Sequence, residues 1–228
     1  MECFDSMLMG EQQNPAYGTD ITVVGSIASV LGVTLDTSVT AAIVNGYTVP
    51  QSMTDLSARE VLKNIGAAYG GCFFISKGNM LAFRSFRPSS SAWELGQNVA
   101  TLSVDVPWQA VSKIIVKVDD NTSYSAGDTT GRTVTVDCQF GTQDMANNLL
   151  TLMSGYVYTS YEADDAIIDP LVEIGDSVHI GSLYSIIAEI HIKADMLFTA
   201  DLSAPSSGDI DHEYPYELFK QTIVPAKN

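Results

Sequence analysis

The stretch SAREVLKNIGAAYGGCFFISKGNMLAFRSF, from Ser57 to Phe86, restricts the fold more narrowly than any other part of the chain. Ser57 followed three residues later by Glu60 has the capping-box form, in which two side chains satisfy each other's orphan backbone donors at a helix start. Ala58, Val61, Leu62, Ile65 and Ala68 then recur at helical spacing, and Gly70-Gly71 can take the left-handed geometry that stops a helix. CFFIS and MLAFRSF flank Lys77-Gly78-Asn79, a short glycine-containing turn, so the pattern predicts a β-hairpin directly after the helix. Nothing in the stretch has the spacing of a catalyst.

Upstream, TDITVVGSIASVLG repeats the grammar, with Thr19 or Asp20 as cap, apolar Ile21, Val24, Ile27, Val30 and Leu31, and Gly32 as stop. Two helices and a hairpin therefore make a small module, closed by the polar loop RPSSSAWELGQN. Beyond it the character changes to short β-rich runs, among them SKIIVKVDD, RTVTVDCQF, DSVHIG, SIIAEIHIKA and MLFTADLSA. Only TQDMANNLLTLMSG interrupts them with helical periodicity, through Met145, Leu149, Leu152 and Met153.

The expected class is α+β: a small two-helix-plus-hairpin module followed by an antiparallel β-barrel-like or sandwich domain carrying one helix. The expected divisions are a truncated or mobile N-terminal segment over 1–16, the α+β module over 17–98, the β-rich domain over 99–205, and an extended polar tail over 206–228.

Charge narrows the partners. The chain has 228 residues, of which 27 are acidic and 11 basic, so its net charge is −16 and no basic stripe is available to follow a phosphate backbone. This argues against nucleic acid and against an anionic membrane surface. No apolar run is long enough to span a bilayer, and MECFDSMLMG lacks the basic n-region of a signal peptide. Cys3, Cys72 and Cys138 are odd in number and lack C-x-x-C spacing, so neither a disulfide framework nor a zinc site is expected. Cys72 and Cys138 read as small buried hydrophobes.

A search for chemistry finds none with a motif behind it. His179 and His191 each sit in an alternating strand, His212 lies in the tail, and no nucleophile motif accompanies them. Glu162, Asp164, Asp165 and Asp169 could in principle supply the paired carboxylates of a glycosidase, but their setting reads as a charged edge or loop. DDNTSYSAGD and DIDHE offer oxygen ligands for calcium without matching an EF-hand loop, and Asp119-Asp120-Asn121 reads as a turn between strands. No phosphate-binding glycine motif is present. The expectation is a non-enzymatic chain with no metal and no cofactor.

The order of its motifs does carry a resemblance. Phe4-Asp5-Ser6-Met7, then TAAIVNGYTVP, then Arg59-Glu60-Val61-Leu62, Ile65-Gly66, Gly70-Gly71, Phe74-Ile75, Gly78, Leu81 and Phe83-Arg84, then Asp169-Pro170-Leu171-Val172-Glu173 and Gly175-Asp176-Ser177-Val178 follow one another. In this the chain resembles bacteriophage and prophage tail proteins of the baseplate hub type. The resemblance implies a structural protein of the virion tail, a homo-oligomer of trimeric type, in contact with other tail and baseplate proteins. The alternatives are a carbohydrate-binding tail module that recognises the host surface, and a tail-tip cell-wall hydrolase. Tyr156, Tyr158, Tyr161, Tyr214 and Tyr216 are the candidate interface anchors; the first three could equally form one buried strand face.

Overall fold

A computed structural model describes residues 12–89, 92–95, 99–194, 198–204 and 220–221. The chain opens with β1 (Gly18–Thr19), α1 (Asp20–Leu31), β2 (Thr34–Leu35), α2 (Thr37–Ala42) and β3 (Thr48–Val49). A 3-10 turn over Gln51–Asp55 leads into α3 (Ala58–Ala68), β4 (Gly71–Ile75) and β5 (Met80–Ser85). The capping box forms: the Ser57 hydroxyl accepts from the Glu60 N–H, and the Glu60 carboxylate accepts from the Ser57 N–H at 2.9 Å. Helix α3 buries Val61, Leu62 and Ile65 completely or nearly so. Strands β4 and β5 pair antiparallel from Gly71↔Ser85 to Ile75↔Leu81, and Asn79 takes a left-handed φ of 55° in the turn.

The chain close to Gly71 leaves no room for a side chain. A Cβ there would stand 2.2 Å from the Arg84 carbonyl oxygen, and one on Gly66 would stand 2.8 Å from that of Gly71. These glycines let helix and hairpin touch backbone to backbone.

The short helix α2 is a departure from the two-helix expectation. TSVTAA is too brief and too rich in threonine and valine to announce a helix by itself. Its context holds it: the Asp36 carboxylate accepts from the Ser38 N–H at 2.8 Å, the Ser38 hydroxyl accepts from the Phe83 N–H at 3.0 Å, and Val39 is fully buried.

After the hairpin come β6 (Trp93–Glu94), β7 (Thr101–Val104), β8 (Val111–Lys117), β9 (Ser123–Gly127), β10 (Arg132–Asp137) and α4 (Gln143–Met153). The chain continues through β11 (Tyr161–Ile167), β12 (Ser177–Ile180), β13 (Leu183–Ile186), β14 (Glu189–Ala194), β15 (Phe198–Ala204) and β16 (Lys220–Gln221). Strand β8 lies between β10, parallel to it, and β9, antiparallel to it, and α4 packs on this sheet. A five-stranded sheet runs in the order β16-β14-β15-β11-β7, and a three-stranded one in the order β13-β12-β6. The architecture is α+β.

Among the described residues two hydrophobic cores organise these elements. The first joins Val23, Ile27, Leu62, Ile65 and Leu81 to Ile114, Val116, Met145 and Leu149, so the helix-and-hairpin unit shares its interior with the β8-β9-β10 sheet and α4. Gly70 marks the contact, its α-carbon lying under Leu149 and Leu152. Asn64, nearly buried on α3, donates to the Glu60 carbonyl at 2.8 Å and accepts from the Gln139 N–H at 2.7 Å, tying α3 to the loop after β10. The second core gathers Leu95, Tyr158, Tyr161, Val178, Ile186, Ile187, Ile190 and Leu202.

Candidate functional site: the seam between the two cores

The hairpin tip of the first core is gripped by a loop of the second. The backbone N–H of Lys77 donates to the Glu173 carboxylate at 2.5 Å, and the Lys77 ammonium donates to the carbonyls of Pro170 and, at 2.7 Å, Val172. Further along β5, Arg84 pairs with Asp176 at 3.2 Å and with Glu173 at 3.6 Å, while its guanidinium lies over the Phe74 ring. The loop is itself pre-shaped: Asp169 accepts from the Leu171 N–H at 2.8 Å and Asp176 from the Glu173 N–H at 2.9 Å. Carboxylates that accept backbone N–H bonds hold a loop in one shape and keep the charge aimed at its cationic partners. The two segments quoted above as separate motifs, FFISKGNMLAFR and DPLVEIGD, therefore meet face to face.

Two further chain segments cross between the cores side by side. The N–H groups of Asp105, Trp108 and Val111 donate to the carbonyls of Ser160, Tyr158 and Tyr156 at 3.1, 2.9 and 2.9 Å. Tyr156 packs against both cores, and Tyr158 and Tyr161 are buried in the second. The Trp108 ring lies tilted against that of Tyr158 at 4.7 Å, and the Arg132 guanidinium sits over the Trp108 ring at 3.6 Å. Burial raises the phenol pKa of all three tyrosines and lowers that of Arg132. The aromatic cluster thus welds one half of the molecule to the other, with Tyr158 and Tyr161 buried inside it. Tyr214 and Tyr216 lie outside the described residues, as do Cys3, Phe4, Asp5, Ser6, Met7 and His212.

Beside this crossing opens a cleft of about 460 Å³ whose walls include Arg87, Tyr156, Thr159 and Tyr184. Arg87, one of the lining residues, is exposed and spends one side-chain N–H on the Leu152 carbonyl at 2.5 Å.

The remaining sequence candidates scatter. The His179 ring pairs with Glu94 at 2.6 Å and stacks on Tyr184, while His191 lies opposite Asp201 on the neighbouring strand. Asp165, at a left-handed φ of 50° in a bulge of β11, shares the Lys193 ammonium with Asp201, at 2.8 and 2.7 Å. Those two hydrogen bonds raise the Lys193 pKa. Glu162, Asp164 and Asp169 are exposed. Asp119 accepts from the N–H groups of Asn121 and Thr122 at 2.8 Å each, the geometry of a turn. Among the described residues no three His, Cys, Asp or Glu side chains gather as a metal site, and no helix is long and apolar enough to cross a membrane. The seam residues Lys77, Arg84, Glu173 and Asp176 were visible in the sequence only as charges within two motifs; nothing local announces that the motifs touch.

No family model matches the chain, and no curated protein does. Solved structures do. Prophage tail protein gp18 from Listeria monocytogenes EGD-e is 15% identical, with a TM-score of 0.50, over 89% of this chain and 71% of that one. The chain has the fold of a prophage tail protein. A tail protein from Neisseria meningitidis MC58 aligns at 10% identity and a TM-score of 0.49, over 91% of this chain and 72% of that one. The 43 kDa tail protein of prophage MuSo2 from Shewanella oneidensis aligns at 14% and 0.46, over 86% and 67%.

Proposed function

We propose that the chain is a non-enzymatic structural component of a phage or prophage tail, placed at the baseplate hub and acting through contacts with other tail proteins and with copies of itself. The observation that carries this reading is the fold shared with prophage tail protein gp18 of Listeria monocytogenes across 89% of the chain. The seam supports it physically. A hub passes load between neighbours, which asks for two packed bodies that do not slide, and here chain crossings paired side by side and a hydrogen-bonded latch join them. Exposed apolar side chains, Val106 and Leu171 at the seam itself and Val44 after α2, are suited to contacts with neighbours. The trimer that the motif resemblance implies belongs to this proposal.

The test is an in-frame deletion of the gene in the cell that encodes it. Induction should yield particles with no tail or a tail halted before its baseplate, and supplying the chain in trans should restore them. Complete, infectious tails in its absence would refute the reading.

A further inference from the structure

The loop between α2 and β3 holds two residues that can react with each other. Asn45 is the only asparagine of the chain that precedes a glycine, and both Asn45 and Gly46 are exposed. Gly46 takes a left-handed φ of 66°, which favours glycine, and a Cβ on it would meet nothing within 4 Å. No side chain on Gly46 shields its backbone nitrogen, and among the described residues nothing accepts its N–H. That nitrogen can therefore approach the side-chain carbonyl carbon of Asn45, with water at hand.

The chain on either side of this nitrogen is pinned. The Asn45 N–H donates to the Tyr69 hydroxyl at 3.1 Å, the Tyr47 N–H donates to the Asp20 carboxylate at 2.9 Å, and the Tyr47 carbonyl accepts from the Asp20 N–H at 2.9 Å. The Tyr69 hydroxyl donates in turn to Asp20, so Asn45 and Tyr47 hang from one buried carboxylate. The Asn45 side-chain amide also donates to the Tyr47 hydroxyl at 3.0 Å, beside Asn148, which donates to the same oxygen at 2.7 Å. A carboxylate at position 45 has no hydrogen to offer that oxygen. Burial raises the Tyr47 phenol pKa and the charges of Asp144 and Asp20 add to the rise, so a charge gained at position 45 arrives near two of its own sign.

We propose that Asn45 is a site of spontaneous modification, at which the folded chain turns its own side-chain amide into an acid. The Gly46 nitrogen gives its proton to solvent and bonds to Asn45 Cγ; the Cγ–Nδ2 bond breaks, and Nδ2 departs as ammonia with a proton from water, closing a succinimide. Water then adds to one or other imide carbonyl and opens the ring to an aspartate or an isoaspartate, with no change of oxidation state. The isoaspartate lengthens the main chain by one methylene between the points held by Tyr69 and Asp20, and both products lose the amide's bond to Tyr47. The modification therefore loosens the buried tie around Asp20. It does not rest on the tail role proposed above.

The experiment keeps the full folded chain in warm, mildly alkaline buffer for several weeks, beside the Asn45→Gln and Gly46→Ala variants, with peptide mapping by mass spectrometry at intervals and anion exchange to separate the more acidic form. Wild type should gain an acid at Asn45, in both aspartate and isoaspartate forms, at least about tenfold faster than at exposed Asn121, whose successor Thr122 carries a side chain, and Gly46→Ala should slow the reaction by about the same factor. Asn45→Gln should stay intact at that position. The converted fraction of wild type should unfold at a lower urea concentration than the unconverted fraction, with faster hydrogen exchange at 20–21 and 45–48. Conversion of Asn45 no faster than that of Asn121, conversion undiminished in Gly46→Ala, or a converted fraction as stable as the rest would each overturn the proposal. The rate and the stability difference are both read on wild-type protein, so a variant that folds poorly does not decide the outcome.

Discussion

The Lys77 backbone N–H and the Glu173 carboxylate lie 2.5 Å apart across a sequence separation of 96 residues, joining the tip of one hairpin to a loop of the other core. Glu173 also faces Arg84, and its side chain is 15% exposed, so its charge is only partly screened. Replacing it by alanine strands an N–H and loosens a cation. The expected cost is about 1–2 kcal/mol, held down by the exposure of Lys77. Hydrogen exchange read by mass spectrometry should speed up in 76–79 and 169–176 together, with the interior of α3 unchanged.

A second tie is more deeply buried. Asp20 is fully buried, and its carboxylate accepts from the Tyr69 hydroxyl at 2.5 Å, the Tyr47 N–H at 2.9 Å and the Ile21 N–H at 2.7 Å. Tyr69→Phe removes the hydroxyl that donates to the buried Asp20 carboxyl group and accepts from the Asn45 N–H at 3.1 Å, and should cost about 2 kcal/mol in urea unfolding. Asp20→Ala orphans three donors at once and should cost more than Tyr69→Phe.

Gly71→Ala tests the helix-to-hairpin approach. The new methyl would sit 2.2 Å from the Arg84 carbonyl oxygen and 2.4 Å from the Phe83 ring, so β4 and β5 must separate. A loss of about 2–3 kcal/mol is expected, whereas alanine at Gly25, in mid-helix with nothing within 4 Å of its Cβ, should gain about 0.5–1 kcal/mol from helix propensity.

Alkaline pH should destabilise the protein progressively. Burial pushes the Cys138 thiol up to about 12 from an ordinary value near 9, and burial likewise pushes Cys72 up to about 12. The unfolded chain gives up these protons first, so between pH 9 and 12 the folded state binds more protons. Stability is therefore complete below about pH 9 and falls above it, by about 1.4 kcal/mol per pH unit for the fully buried Cys138. The raised phenols of Tyr69, Tyr158 and Tyr161 steepen the fall above pH 10. Urea midpoints measured from pH 7 to 11 should show this, and Cys138→Ala, though weaker at pH 7, should decline less steeply between pH 9 and 10.

Local signals made much of this fold legible before any coordinates. Ser57, Glu60, Gly70 and the turn at Asn79 each act within a few residues, so the capped helix and its hairpin follow from them directly. The α4 face through Met145, Leu149 and Met153 is read the same way and is buried as its period implies. The rest depends on distant pairings. Parallel β8 and β10, and the contact of Lys77 and Arg84 with Glu173 and Asp176, carry no signature in either partner alone. The tyrosines show the limit most clearly: the sequence left Tyr156, Tyr158 and Tyr161 open as interface anchors or as one buried strand face, and only the crossing beside Trp108 shows them packed at a joint inside the molecule.

The most direct test of the structural role is quantitative mass spectrometry of density-purified particles, released by the cell that encodes the chain, with isotope-labelled peptides spanning 58–68 and 143–153 as standards. The account predicts that the chain co-purifies with the tail at a small fixed copy number, a multiple of three, and resists a high-salt wash. Finding it free in the lysate and absent from intact tails would contradict the account.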